Sequence, residues 1–482
     1  MTFETVIGLE VHVQLKTESK LFCRCETTFG ADPNTHICPI CCGHPGVLPV
    51  LNRKAVEFIV KAGLGLGCSI APHSVFSRKQ YFYPDLPKAY QISQYDLPVC
   101  TGGGIEIPVS GSGTKRIRIH RIHLEEDAGK LLHMIGSREL PYSLVDLNRA
   151  GIPLMECVSE PEISSPDEAY AYLTQLKAVF QYLEISDCDM EKGSLRCDAN
   201  ISLRPAGQEA LGTKAEIKNL NSFKAVKEAL QHEISRQTEV LNSGGRIIQE
   251  TRLWDDNRGV TESMRSKEEA HDYRYFPEPD LVPLNLSKDF IEGIGKSLPE
   301  LPQARKKRLV ADYGLSDYDA NVLVGDKTLA GYFESALKKS DAAAAKPLCN
   351  WLTTELLGRL NAAKKSISDS PVSPENLAGL IGLILKGTIS GKTAKDVFTE
   401  MFETGASPDE IVEKKGLRQV GDTATIEKWC EEAIKEMPKA VEEYHGGKER
   451  AIGSIVGLVM KKSQGKANPQ LVNQILKKKL SR

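Results

Sequence analysis

Three groups of residues have types and spacings that can do chemistry. The first is Cys23-Arg-Cys25 followed, twelve residues on, by Cys38-Pro-Ile-Cys41, with His36, Cys42 and His44 close by. Two closely spaced thiol pairs match the ligands of a closed tetrahedral zinc site, which adds folding energy and does no catalysis. Free buried thiols are the alternative reading. The second is an alternating run from Thr5 to Leu15, with Ile7, Leu9, Val11, Val13 and Leu15 on one side and Gly8, Glu10, His12 and Gln14 on the other. Glu10 and His12 then project to one face of a strand, about 6.6 Å apart. Hard oxygen ligands plus an imidazole suit Mg²⁺ held against substrate phosphates. Glu125, Asp198 with Asn200, and Glu216 are candidates to join them from neighbouring strands. A solvated sheet face carries the same pattern. The third is the stretch Tyr81 to Tyr95, with five aromatics in fifteen residues of a chain that is 6% aromatic. Its rings, interleaved with Lys88, Gln91 and Gln94, suit stacking on an adenine or a terminal nucleotide. A loop packed around Pro84 and Pro87 would look the same.

The elements that must position these residues are legible from periodicity. Leu195 to Arg204 alternates, and so does the shorter Thr213 to Leu220. Arg116 to Glu125 is strand-like, but its apolar phase shifts from Ile117 and Ile119 to Ile122 and Leu124, which predicts a bulge near His120. Ser165-Pro-Asp-Glu168 predicts a capping box with proline at the first helical position, followed by Leu173, Leu176, Phe180 and Leu183 at helical spacing. A second helix carries Phe223, Val226, Leu230 and Ile234 and stops at Gly244-Gly245. The expected fold is therefore α+β: a large, mostly antiparallel-sheet domain over residues 1–290, with a zinc-binding insertion near 23–42. The stretch 297–302 reads as a linker. Helical periodicity then defines a domain over 291–404, and Gly405-Ala-Ser-Pro408 punctuates the start of a second all-helical domain over 405–482.

Composition limits the function classes. With 482 residues, 41% hydrophobic and 26% charged, the chain is an ordinary globular sequence of about three domains. A net charge of −2 gives no overall attraction to nucleic acid, so any such binding needs a local patch. The segment 451–482 supplies one, with seven Lys/Arg and no acidic residue. Within it, Gly453 and Gly457 form a Gly-x-x-x-Gly face followed by Lys461 and Lys462; helix packing with a solvated tail is the alternative. The N-terminus lacks a signal-peptide pattern, and no apolar run reaches the ~20 residues of a membrane span, so a cytoplasmic protein with no membrane partner is expected. Gly387 to Thr393 looks like a phosphate-binding loop but is one residue short between its glycines and follows a helical pattern.

The stretches VIGLEVHVQL, YFYPDLPKAYQISQYD, HLEEDAGK, VDLNRAGIPLMECVSEP, SLRCDANISLR, KAEIKNLNSF and DYRYFPEPDL resemble, in order and along the whole chain, the B-subunit family of the aspartyl/glutamyl-tRNA amidotransferases. Asp146-x-Asn148-Arg149-x-Gly151-x-Pro153-Leu154-x-Glu156 is similar to that family's signature; Cys157 departs from it, standing where a branched apolar residue is usual. The resemblance implies a glutamine-hydrolysing ligase. Its B subunit uses ATP and Mg²⁺ to phosphorylate the side-chain carboxylate of Glu-tRNA(Gln) or Asp-tRNA(Asn), and ammonia then displaces the phosphate. It implies metal and phosphate-transfer roles for Glu10, His12, Glu125 and Glu216, with Asp198 as a further candidate. Tyr81, Tyr83 and Lys88, from the aromatic stretch, are the nucleotide-contact candidates, and the resemblance suggests Lys79, Tyr81 and Lys88 as ammonia-channel liners. It also implies a heterotrimer with an amidase-like A subunit and a small C subunit, and tRNA binding by the tail; some family members lack the cysteine pairs, which supports a structural role for zinc on Cys23, Cys25, Cys38 and Cys41. Two rivals stand beside it. A tRNA-binding scaffold would leave Glu10, His12, Glu125 and Glu216 dispersed, and the glutamate-only relative carries an inserted domain for which this chain has no room.

Overall fold

The computed structural model describes residues 2–109, 113–136, 138–264, 273–418, 423–463 and 467–481. Asp272 of one matching stretch, and Lys466 and Arg482 of the basic tail, lie outside them. The chain divides into two units, Met1–Pro302 and Gln303–Arg482.

The first unit is built on a ten-stranded sheet among the described residues. Its long strands are β1 (Phe3–Gln14), β2 (Gly113–Glu126), β3 (Pro153–Ser159), β4 (Leu195–Pro205), β5 (Ala215–Lys218), β6 (Glu250–Asp255) and β7 (Val260–Ser263). Their spatial order is β7-β6-β5-β4-β1-β3-β2, and every pair is antiparallel except β5 with β6. The alternation in β1 does what it predicts: Ile7, Leu9, Val11 and Val13 are fully buried, while Glu10, His12 and Gln14 take the other face. Three helices, α1 (Arg53–Gly65), α2 (Pro166–Tyr182) and α3 (Phe223–Asn242), bury Ile59, Leu173, Phe180 and Val226 in the same core. Cys157 is buried there, its sulfur against the hydroxyl of the equally buried Tyr172.

The α2 cap is half of the expected box. The Ser165 hydroxyl accepts the Glu168 N–H at 3.2 Å, but the Glu168 carboxylate accepts from the Ser164 N–H at 2.9 Å and is held by Lys115 at 2.8 Å. In β2 the bulge falls at the expected residue. Arg121 pairs with Val158 and Ile119 with Ser159, leaving His120 as the extra residue. Before the bulge Ile117 and Ile119 face the core; after it Ile122 and Leu124 do, and His123 and Glu125 are turned to the polar face.

The expected linker is anchored to this unit. Helix Lys288–Lys296 buries Ile294, and Leu298 and Leu301 pack on the same core. In the second unit one apolar cluster runs from Leu309 to Val412 and another from Ile426 to Leu480. Gly405, with φ 73°, caps helix Gly391–Thr404, and Ser407 caps Pro408–Lys415, whose Ile411 and Val412 join the first cluster. That punctuation is thus a turn between packed helices, and the core changes over farther along. Gly387 to Thr393 follows helix Pro374–Leu385 and runs into the first turn of helix Gly391–Thr404, with no strand before it.

Candidate functional site

Strand register sets three side chains in a row across the polar face. His12 lies opposite Glu156, and Glu156 opposite His123; Glu125 follows one step along β2, opposite Leu154. The His12 Nε2 is 3.5 Å from Glu156 Oε2 and 3.7 Å from Glu125 Oε1. The His123 Nε2 is 3.3 Å from Glu156 Oε2 and 3.7 Å from Glu125 Oε2. The Ser93 hydroxyl donates to Glu125 at 3.2 Å. His123, Glu125 and Glu156 are all buried. Burial works against each charge, but proximity wins: Glu156 and Glu125 push His123 up to about 9 and raise His12 as well. In turn the imidazoles hold Glu156 well below, and Glu125 below, the usual carboxylate range. Ligand atoms of His12, Glu125 and Glu156 all lie within 4.8 Å of one another. Two carboxylates and an imidazole converging in a buried spot fit a divalent cation.

The four residues expected as ligands do not all meet. His12 and Glu125 do. Glu10 lies next along β1, opposite Asp198, with the Asn200 amide donating to it at 2.9 Å; burial and the Glu156 charge raise its carboxyl. Glu216 is two strands from β1, where it accepts from Thr251 at 2.8 Å and pairs with Lys218 at 3.0 Å. Lys218 also binds Asp198 at 2.6 Å. Glu156 and His123, to which the residue pattern gave no role, complete the cluster instead. His123 stands two residues before Glu125 on one strand, the spacing that singles out Glu10 and His12.

The aromatic stretch forms a wall with residues 273–276. Tyr81 meets Tyr273 edge-on at 6.1 Å, and Tyr95 stacks on Tyr275 at 4.0 Å. The Lys79 ammonium sits 5.0 Å from the Tyr273 ring and 5.9 Å from Tyr81. Burial opposes its charge, but Glu125 raises its pKa above the usual lysine value. Tyr83 is exposed. Lys88 is paired with the buried Glu126 and lies over Tyr90, so the three nucleotide-contact candidates have three different environments.

The sulfurs of Cys23, Cys25, Cys38 and Cys41 lie within 4.8 Å of one another. The hydrogen bond with Cys23 draws the Cys41 thiol well below its ordinary pKa, helped by Lys20. Lys20 is fully buried, with its ammonium 3.5 Å from Cys41 Sγ and 3.2 Å from the Leu147 carbonyl. Four converging sulfurs with a buried cation beside them fit a metal bound by thiolates.

Residues 5–292 match the GatB/GatE catalytic domain, and residues 331–480 match the GatB domain. The B subunit of the aspartyl/glutamyl-tRNA(Asn/Gln) amidotransferase of Carboxydothermus hydrogenoformans is 57% identical over 480 residues, covering 100% of this chain and 99% of that one. The protein of the same name from Geobacter sulfurreducens is 56% identical over 484 residues, covering 100% of both. The chain belongs to the GatB family. The first GatB-family match spans the cysteine cluster and the His12–Glu125–Glu156 cluster. The second spans the candidate tRNA-binding residues. There, Gly453 and Gly457 are exposed, and a Cβ at either would meet no neighbour within 4 Å, so this glycine face is not used for packing. Lys461 is exposed, whereas Lys462 is paired with Glu436 at 2.6 Å and Glu432 at 3.2 Å. No helix of the described residues is long and apolar enough to cross a membrane.

Proposed function

We propose that this GatB-family chain carries out the ATP-dependent step of tRNA-dependent amidation, activating the side-chain carboxylate of Glu-tRNA(Gln) or Asp-tRNA(Asn) for attack by ammonia. The observation that carries the reading is the buried meeting of His12, His123, Glu125 and Glu156 on one sheet face. A scaffold has no need of such a cluster, because two carboxylates and two imidazoles are costly to bury together without a ligand.

A carboxylate is a poor acyl donor and an acyl phosphate is a good one, so phosphoryl transfer must come before amidation. His12, Glu125 and Glu156 would hold Mg²⁺, which when bound neutralises phosphate charge and aligns the transferring group. His123 contacts Glu156 and Glu125 and fixes their position. Lys79, flanked by Tyr81 and Tyr273, sets a second cation beside Glu125, suited to an incoming anion. Glu10 extends the acidic edge along β1.

Ammonia comes from an amidase-like partner, joined by a small third protein. The four cysteines hold structural zinc, the C-terminal segment contacts tRNA phosphates, and the assembly works in the cytoplasm. The test is to purify the chain with both partners and follow ATP- and glutamine-dependent conversion of Glu-tRNA(Gln). His12→Ala should abolish that conversion while basal glutamine hydrolysis persists. Conversion by His12→Ala at the parent rate would refute the assignment.

A further inference from the structure

On the side of β3 away from Glu10, the polar face of the sheet carries a cation without a partner. Arg121, His123 and Glu125 alternate along β2 with the buried Ile122 and Leu124, so Arg121 shares the face of the His12–Glu125–Glu156 cluster. Its Nε is buried with no hydrogen-bond partner, and its side chain makes no ion pair among the described residues. Other arginines of this sheet are engaged: Arg118 with Glu162 at 2.6 Å, Arg196 with Asp127 at 2.8 Å and Arg252 with Glu233 at 3.0 Å. A guanidinium nitrogen taken out of water without an acceptor is costly, and an incoming anion removes the cost.

An aromatic platform adjoins it. The Gln94 side-chain oxygen accepts the Leu124 N–H at 3.0 Å, and Cys100 pairs with Ile122. The loop between Gln94 and Cys100 is thereby pinned to the edge of β2 at the level of residues 122–124, one step from Arg121. It carries Tyr95, which lies flat on Tyr275 with 4.0 Å between ring centres and 6° between planes. Burial pushes the Tyr275 hydroxyl up to about 12; Lys79 opposes the rise, and Glu125 and Glu156 add to it, so this hydroxyl looks onto the cluster. Tyr95 is 44% exposed, so the stack presents a ring to solvent and does not fill the core.

We propose that this edge of the sheet seats the single-stranded 3′ end of the aminoacyl-tRNA, with the terminal base stacked on Tyr95 and the terminal phosphodiester held by Arg121. The inference rests on the amidation reading above and names the residues that bring the substrate to the cluster. An open aromatic face beside an arginine is the combination that single-stranded RNA requires: rings take the base, and the planar fork takes the phosphate. A free phosphate would satisfy Arg121 but leave Tyr95 without a role. The spacing agrees. Arg121 to Glu125 is four residues of strand, about 13 Å. From the last phosphorus, through the ribose and a glutamyl ester, to the side-chain carboxyl carbon is a path of about ten bonds, which extends to about 12 Å.

The experiment uses the full chain with both partners. The probe for binding is tRNA(Gln) whose last base is 2-aminopurine, which dims when it stacks on an aromatic ring; amidation is followed with Glu-tRNA(Gln). Tyr95→Leu should lose most of the dimming and lower kcat/KM for amidation by ~10-fold or more, whereas Tyr95→Phe should keep both. Arg121→Gln should reduce the slope of log affinity against log salt by about 0.7, the share of one single-strand phosphate contact. Basal glutamine hydrolysis by the partner should not change in any variant. If Tyr95→Leu matches the parent within twofold in dimming and kcat/KM, or the parent binds the probe without dimming it, the base seat is wrong and the amidation reading stands. An unchanged salt slope in Arg121→Gln likewise removes the phosphate contact. If the parent with its partners makes no Gln-tRNA(Gln), the amidation reading fails and takes the seat with it.

Discussion

Glu156→Gln is the sharpest perturbation of the cluster, because it removes one charge and almost no volume. The Glu156 carboxylate is 3.3 Å from one imidazole nitrogen and 3.5 Å from another, with both histidines drawn toward the protonated form by it. At an effective dielectric of about 20, each contact is worth about 5 kcal/mol of attraction. Burial of the three groups offsets much of this, and removing one partner of a buried ion pair typically leaves a net loss of about 3–5 kcal/mol. If even the low end of that loss falls on the activated complex, amidation drops by at least ~100-fold. The assay is the rate of ATP- and glutamine-dependent Gln-tRNA(Gln) formation across a Mg²⁺ titration. The variant should be slow at every Mg²⁺ concentration and need more of the ion to reach its own half-maximal rate, while tRNA binding holds. Amidation within threefold of the parent, with an unchanged Mg²⁺ midpoint, would show that Glu156 is not part of the working site.

Three other outcomes are expected. Freshly purified, reduced protein should contain about one equivalent of zinc, and Cys38→Ser should lose it and unfold at lower temperature; elemental analysis decides this. Replacing the exposed Lys461, Lys477 and Lys478 by alanine should weaken tRNA binding and flatten its salt dependence without touching basal glutamine hydrolysis by the partner, and unchanged affinity in a filter-binding series would remove the segment from the tRNA interface. Glu233 is fully buried between Arg236 at 2.8 Å and Arg252 at 3.0 Å. Burial pushes its carboxyl up, but hydrogen bonds from Arg236, Thr261 and Gln237 hold it below the usual range. Its stabilisation is therefore present at neutral pH and lost as pH falls through the lowered folded pKa. Glu233→Ala should cost about 3–5 kcal/mol near pH 7, and denaturant unfolding should show the gap to the parent closing below about pH 4.3.

What the sequence could reveal follows from how each feature is encoded. β1 and β4 were legible because one face of each is apolar and the other polar, so a period of two appears directly in the residues. The cysteine pairs were legible because ligand spacing is local. Glu156 was not, because Pro153 to Ser159 carries Leu154, Met155, Cys157 and Val158 around it. A central strand covered on both faces reads as a nearly continuous apolar run, and a single acid within it gives no period. Lys20 and Lys88 were opaque for a different reason. A lysine reads as solvated until a partner is known, and the partners Cys41 and Glu126 are supplied by tertiary folding. Glu216 sits on a strand that also alternates, but alternation fixes only the face and says nothing about how many strands away the residue will lie.

The extra residue in β2 has a consequence for how this protein tolerates change. His120 is exposed, and its imidazole lies 3.0 Å from the Glu160 carboxylate, so exchanging its side chain should matter little. Its peptide unit is another matter. With that unit removed, the pleat would resume its earlier phase, driving His123 and Glu125 into the hydrocarbon interior and Ile122 and Leu124 out toward the substrate. The site is thus guarded by a count of residues and not by the identity of one. Surveys that exchange amino acids one at a time will score position 120 as permissive, whereas a codon deletion there should be among the most damaging lesions in the chain. Insertions and deletions therefore read a layer of this molecule's design that substitutions cannot.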